Sequence, residues 1–189
     1  MVSRGLKDLS QMDGFKNRVR TDFIVVHCSK TPVNDPAVLK AGSGYQYLDR
    51  KHRELGAFMC GYHAVIERDG TVIMPRHHAV TGNHCPGVNS VSYSICLIGG
   101  ADADGTPTSN YSDEQREALL QTVEAILRIY PTARVVGHYE VSARKTLCPS
   151  FDVADWWWHV LNRKKLKETS DAQQPRSGSP NPVAPPVSE

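Results

Sequence analysis

The sequence predicts an α/β fold, with a central mixed β-sheet flanked by helices. Three observations carry this. Short apolar runs rich in β-branched residues alternate with longer segments of helical periodicity. An Asp69-Gly70 pair sits between two apolar runs, which marks a hairpin and so at least one antiparallel pair. Strands and helices are mixed along the chain with no regular repeat, which suits one mixed sheet with helices packed on it.

The elements follow in order. "DFIVVHC" (22–28) reads as a buried strand that ends at His27. "SGYQYLDRKHRELG" (43–56) reads as a helix closed by Gly56. "YHAVIERDGTVIMPR" (62–76) is the hairpin. "SVSYSICLIGG" (90–100) alternates and then runs apolar, which suggests a central strand. Ser112 and Gln115 form a capping-box pattern ahead of a helix. In that helix Leu119, Leu120, Val123, Ile126, Leu127 and Ile129 recur at helical spacing, and Pro131 ends it. "ARVVGH" (133–138) is a short strand reaching His138. "FDVADWWWHVLNRKK" (151–165) is a helix with Asp152 as N-cap.

The chain has 189 residues, enough for one domain and a tail. Residues 1–20 read as an N-terminal extension, 21–167 as the functional domain, and 168–189 as a Pro/Ser-rich disordered tail. The tail has four prolines after residue 179 and no aromatic side chain, so it cannot bury enough surface to offset its ordering entropy. The net charge of +2 is too mild to argue for nucleic acid. No apolar run reaches the ~18–20 residues of a membrane span, and the basic N-terminus lacks the apolar stretch of a signal peptide. These points predict a soluble monomer, made in the cytoplasm, with no membrane insertion. Five cysteines without a C-x-x-C pair argue against a disulfide scaffold or a zinc ribbon, so most should be small buried residues.

Two strands end in histidine, at His27 and His138. Cys148 follows on a loop that can fold back over the same sheet edge. Two histidines and one cysteine form a three-ligand zinc set with one coordination position open. Such an ion lowers the pKa of a bound water to about 7. Against this stands the ordinary reading of any one of eight histidines as a surface or satisfied polar residue.

The segments "VVHCS", "GYHAVIERDGTV", "TGNHCPGVNSVSYSICLIGG" and "GHYEVSARKTLCPSFD" occur in this order. Together they resemble the zinc-dependent N-acetylmuramoyl-L-alanine amidases of the phage lysozyme type, relatives of peptidoglycan recognition proteins. The resemblance covers about residues 20 to 160. It implies a zinc ion in a surface groove and hydrolysis of the amide between N-acetylmuramic acid and L-alanine in bacterial peptidoglycan. It puts the zinc ligands on His27, His138 and Cys148, the catalytic tyrosine on Tyr62, and a substrate contact on His84. The second catalytic position falls on Thr146, with Lys145 beside it; spacing favours Thr146. Where some relatives have an acidic residue this chain has Cys96, which reads as a buried strand residue. His63 and His52 read as structural. "ADADG" (101–105) lacks the further ligands of a calcium loop and reads as a polar turn.

The function implied is that of a phage or prophage endolysin, held in the host cytoplasm until released to the wall. The alternative is a non-catalytic peptidoglycan-binding or protein-binding regulatory module of the same fold. Retention of all three ligand residues favours the enzyme.

Overall fold

The computed structural model describes residues 15–173. The elements are β1 (Phe23–Cys28), α1 (Pro36–Ala41), α2 (Gly44–Glu54), β2 (Ala64–Ile66), β3 (Val72–Ile73), β4 (Ser92–Leu97), α3 (Asp113–Ile129), β5 (Arg134–Gly137), α4 (His138–Val141) and α5 (Val153–Gln173). The sheet order is β3-β2-β4-β1-β5. β1 pairs in parallel with both β4 and β5, and β2 pairs in parallel with β4. Only β3, the second arm of the hairpin, is antiparallel. The sheet is therefore mixed, and "SYSICL" is its central strand.

Parallel strands need cover on both faces, which is why β1 and β2 read as almost unbroken apolar runs and every residue of β4 is buried. On one face Val65 and Cys96 join Leu48, Cys60 and Ile98 in a core cluster packed by Tyr45, Tyr47 and Tyr62. The residues that alternate with them, including Ile24, Val26, Ile66 and Ile95, are also fully buried. α3 carries the predicted capping box at Ser112 and Gln115. Its Gln115 amide donates to the Ile66 and Ile98 carbonyls, tying the helix to the sheet. The hairpin turns where expected, with Gly70 at φ 83°, a conformation that favours glycine. In "ADADG", Asp102 and Asp104 accept hydrogen bonds from Thr108 and Thr106, so the segment is a self-contained polar turn. All five cysteines are free and buried.

Two boundaries and one helix differ from the sequence reading. Residues 15–20, assigned to the extension, take part in the fold. Arg18 N–H donates to the Ala79 carbonyl, Thr81 N–H donates to the Lys16 carbonyl, and Phe15 meets Phe58 edge to face. Residues 1–14 lie outside the described residues. At the other end α5 runs to Gln173, past the tail boundary at 168, because "ETSDAQ" holds no helix breaker. The rest of the expected tail, 174–189, also lies outside the described residues. α1 was not anticipated; its signal is Asp35-Pro36, with Asp35 Oδ1 accepting from the Ala37 and Val38 N–H groups. Among the described residues, no helix is long and apolar enough to cross a membrane.

Candidate metal centre and active site

The sheet register builds the site. Val26 pairs with Gly137, so one further step brings His27 beside His138 where β1 and β5 end. Their ring centroids are 4.4 Å apart. His138 is the first residue of α4, one step past the strand the sequence had it close. Cys148 returns to this edge, held by two backbone bonds. Its carbonyl accepts from Tyr139 N–H at 3.0 Å, and its Sγ accepts from Cys28 N–H at 3.2 Å. One ligand atom each from His27, His138 and Cys148 then lies within 4.8 Å of the others.

This donor set suits zinc. Two imidazoles and one thiolate are zinc's usual partners, and three protein ligands leave a position open. The electrostatics agree. Burial, then the neighbouring His84 and His138, holds the His27 pKa well below the ordinary histidine range. Burial and Lys30 lower that of His138. Both rings are therefore neutral at neutral pH, as ligands must be. The buried Cys28 and Cys148 thiols form a coupled pair. The first proton leaves that pair more readily than it would leave an isolated thiol, and the second is held far more tightly. The Cys28 N–H aimed at Cys148 Sγ is a fixed donor for a thiolate there.

Tyr62 stands at the entry to β2, with its ring 5.1 Å from that of His27. Burial and the surrounding thiols push its pKa well above the ordinary phenol value, so it keeps its proton. Two α2 side chains hold the chain that carries it: His52, read from sequence as structural, and Asp49, which drew no reading. Asp49 Oδ1 accepts from Cys60 N–H, and His52 Nδ1 accepts from Gly61 N–H, both at 2.7 Å. Asp49 left no sequence signal beyond a charged helix face. Cys96 is fully buried and its thiol pKa is raised by that burial, so no titrating base stands at this position.

Thr146 and Lys145 line an open cleft of about 320 Å³ beside Cys148, together with Lys30, Gly105 and Pro107. Thr146 Oγ1 accepts from Cys148 N–H at 3.2 Å, which leaves its hydroxyl proton free to donate. Lys145 is exposed. His63 is structural: Nδ1 accepts from Ser94 N–H at 3.0 Å and Nε2 donates to the Val80 carbonyl at 2.7 Å. His84 is brought to the centre itself. Its Nδ1 is 2.9 Å from His27 Nε2 and its Nε2 is 3.2 Å from Ser92 Oγ.

Fold and donor set together define an α/β protein with a candidate metal centre at the ends of two parallel strands. Comparison with known proteins gives the family. Residues 17–151 match the model of the N-acetylmuramoyl-L-alanine amidase family, and the chain belongs to that family. It is 37% identical over 142 residues to the endolysin of Enterobacteria phage K11, covering 75% of this chain and 89% of that one. It is 36% identical over 143 residues to the endolysin of Escherichia phage T7, covering 76% and 89%. Among solved structures, the Ph2119 endolysin from the Thermus scotoductus MAT2119 bacteriophage Ph2119 superposes with a TM-score of 0.57 at 25% identity, over 71% of this chain and 81% of that one. Drosophila PGRP-LB shares the fold, with a TM-score of 0.57 at 22% identity over 71% and 78%.

Proposed function

We propose that this chain is a phage endolysin that cuts bacterial peptidoglycan at the amide between N-acetylmuramic acid and L-alanine, with zinc as its cofactor. The observation that carries the metal assignment is the convergence of His27, His138 and Cys148 within 4.8 Å, beside Tyr62, in a chain of the amidase family. Bound there, zinc would supply a Lewis acid that activates water and polarises the scissile carbonyl.

The chain's own groups do the rest. The protonated Tyr62 donates a hydrogen bond to the attacking water or to the oxygen that gains charge. Thr146 donates its free hydroxyl proton to the same oxygen from the cleft side. A fixed hydrogen-bond donor of this kind is worth ~10²–10³ in rate. Lys145 beside it faces solvent and adds positive charge along the cleft. The protein acts as a monomer on the wall, without nucleic acid and without inserting into a membrane. It stays in the host cytoplasm until it is released.

The test is mass spectrometry of the products released from purified peptidoglycan, with and without a zinc chelator. The expected products are stem peptides starting at L-alanine, with the glycan intact and all release lost on chelation. Cuts within the peptide would change the enzyme class. Binding to the wall without any product from zinc-loaded protein would favour the non-catalytic module.

A further inference from the structure

A histidine binds a metal only through a ring nitrogen that carries no proton, and the partner of the other nitrogen decides which one that is. At His27 that partner can be followed to a fixed end. The Ser92 hydroxyl lies 2.7 Å from the Val88 carbonyl oxygen, which can only accept. Ser92 therefore gives its proton to Val88, and its oxygen accepts from His84 Nε2–H. A neutral His84 protonated at Nε2 has a bare Nδ1. That atom accepts from His27 Nε2–H. His27 Nδ1 is left bare.

We infer that Val88, Ser92 and His84 form a tautomer lock, and that His84 is a positioning residue which presents His27 Nδ1 to the metal. The inference rests on the reading of His27 as a zinc ligand. It gives His84 a role other than the substrate contact expected from sequence, because both of its ring nitrogens are already engaged.

The surroundings are built to hold this ring. Asn89 Oδ1 accepts from both His84 N–H and Cys85 N–H at 2.9 Å, fixing the backbone at His84. Gly82 leaves room for it: a Cβ there would stand 2.6 Å from His84 Cδ2 and 2.9 Å from His63 Cε1.

The first test uses the unmodified full chain, free of zinc and labelled with ¹⁵N-histidine. Long-range nitrogen–proton NMR spectra should show both His27 and His84 protonated at Nε2. A His27 protonated at Nδ1 would overturn the lock. The second test measures zinc affinity by competition with a chromophoric chelator. His84→Ala should weaken binding ~10–100-fold. His84→Asn should recover most of that, because its Oδ1 is as many bonds from Cβ as the Nδ1 it replaces. His84→Gln places its amide where Nε2 was, reaches Ser92 but not His27, and should behave like His84→Ala. Equal affinity in all three variants and the wild type would overturn the assignment, as would equal loss in all three. Thermal melts of the zinc-free variants separate loss of fold from loss of the lock. A wild type that takes up no zinc at all would instead sink the metal centre, while its tautomer spectrum would still decide the lock.

Discussion

The two histidines of the proposed metal centre are supported in opposite ways. His27 lies inside β1, between β4 and β5, is 1% exposed, and has its ring bonded to His84. His138 is half-buried at the start of a four-residue helix, ahead of a loop whose Ala143, Arg144, Lys145 and Leu147 are exposed. One side of the centre is a post fixed in the sheet. The other is a strand-to-loop unit closed by the Tyr139 N–H bond to the Cys148 carbonyl and touching β1 through the Cys28 N–H bond to Cys148 Sγ. The difference teaches where a metal would add order: it would fasten the loop side to a side that is already rigid.

The strongest way to break this comparison is to remove the thiolate. Cys148→Ala should abolish zinc binding and lower amidase activity at least ~10³-fold, since no other ligand closes the set. Hydrogen exchange sharpens the same point. Chelation of the wild type should speed amide exchange across 138–148 while Val25 and Val26 stay protected. Equal acceleration in β1 would show that the post is not fixed. Tyr62→Phe comes next, with activity down ~10²-fold and zinc affinity unchanged, because the phenol donates without being a ligand. Thr146→Ala should cost ~10²-fold in kcat, and Lys145→Ala only ~3-fold at low salt, as expected of an exposed charge. The reverse order would give Lys145 the catalytic role.

The smallest effect concerns the rigid side and pH. Burial holds the His63 pKa well below its ordinary value, so the folded protein keeps it neutral while the unfolded chain takes up a proton below about pH 6.5. The unfolded state then binds more protons, and stability falls as the pH falls. In zinc-free protein His63 should contribute up to about 1.4 kcal/mol per pH unit below that point. Urea melts at pH 7.5 and 5.5 would measure it, with His63→Asn as the reference whose slope is smaller by the His63 share, the buried His27 and His84 supplying much of the rest.

Most of the fold was legible because its signals are local. The β-branched runs, the Asp69-Gly70 turn and the Ser112–Gln115 box each act within a few residues. That His27, His138 and Cys148 would meet at one sheet edge was legible for the same reason, as strand ends and a returning loop. What was hidden depends on partners far apart in sequence. Nothing near Arg18 announces that residues 16–18 pair with 79–81, because the pairing crosses some sixty positions. The environment of His84 was hidden too. Its partners are 57 residues before it and 8 after, and only the sheet register brings His27 and Ser92 to one ring. The residue was legible as belonging to the site; its donor chain was not.

The bonds from α2 to the chain before Tyr62 bear on redesign. An engineer adjusting how the protein clings to an anionic wall would find, in "DRKHRE" (49–54), six polar residues on one short helix and treat them as interchangeable surface. Three of them are. Asp49 and His52 instead set the height and angle of the tyrosine thirteen and ten residues further on. Charge can be rewritten at Arg50, Lys51 and Glu54, whereas a library that also varies Asp49, His52 or Arg53, whose Nε donates to Asp49 Oδ2 at 2.7 Å, would be altering turnover under the name of solubility.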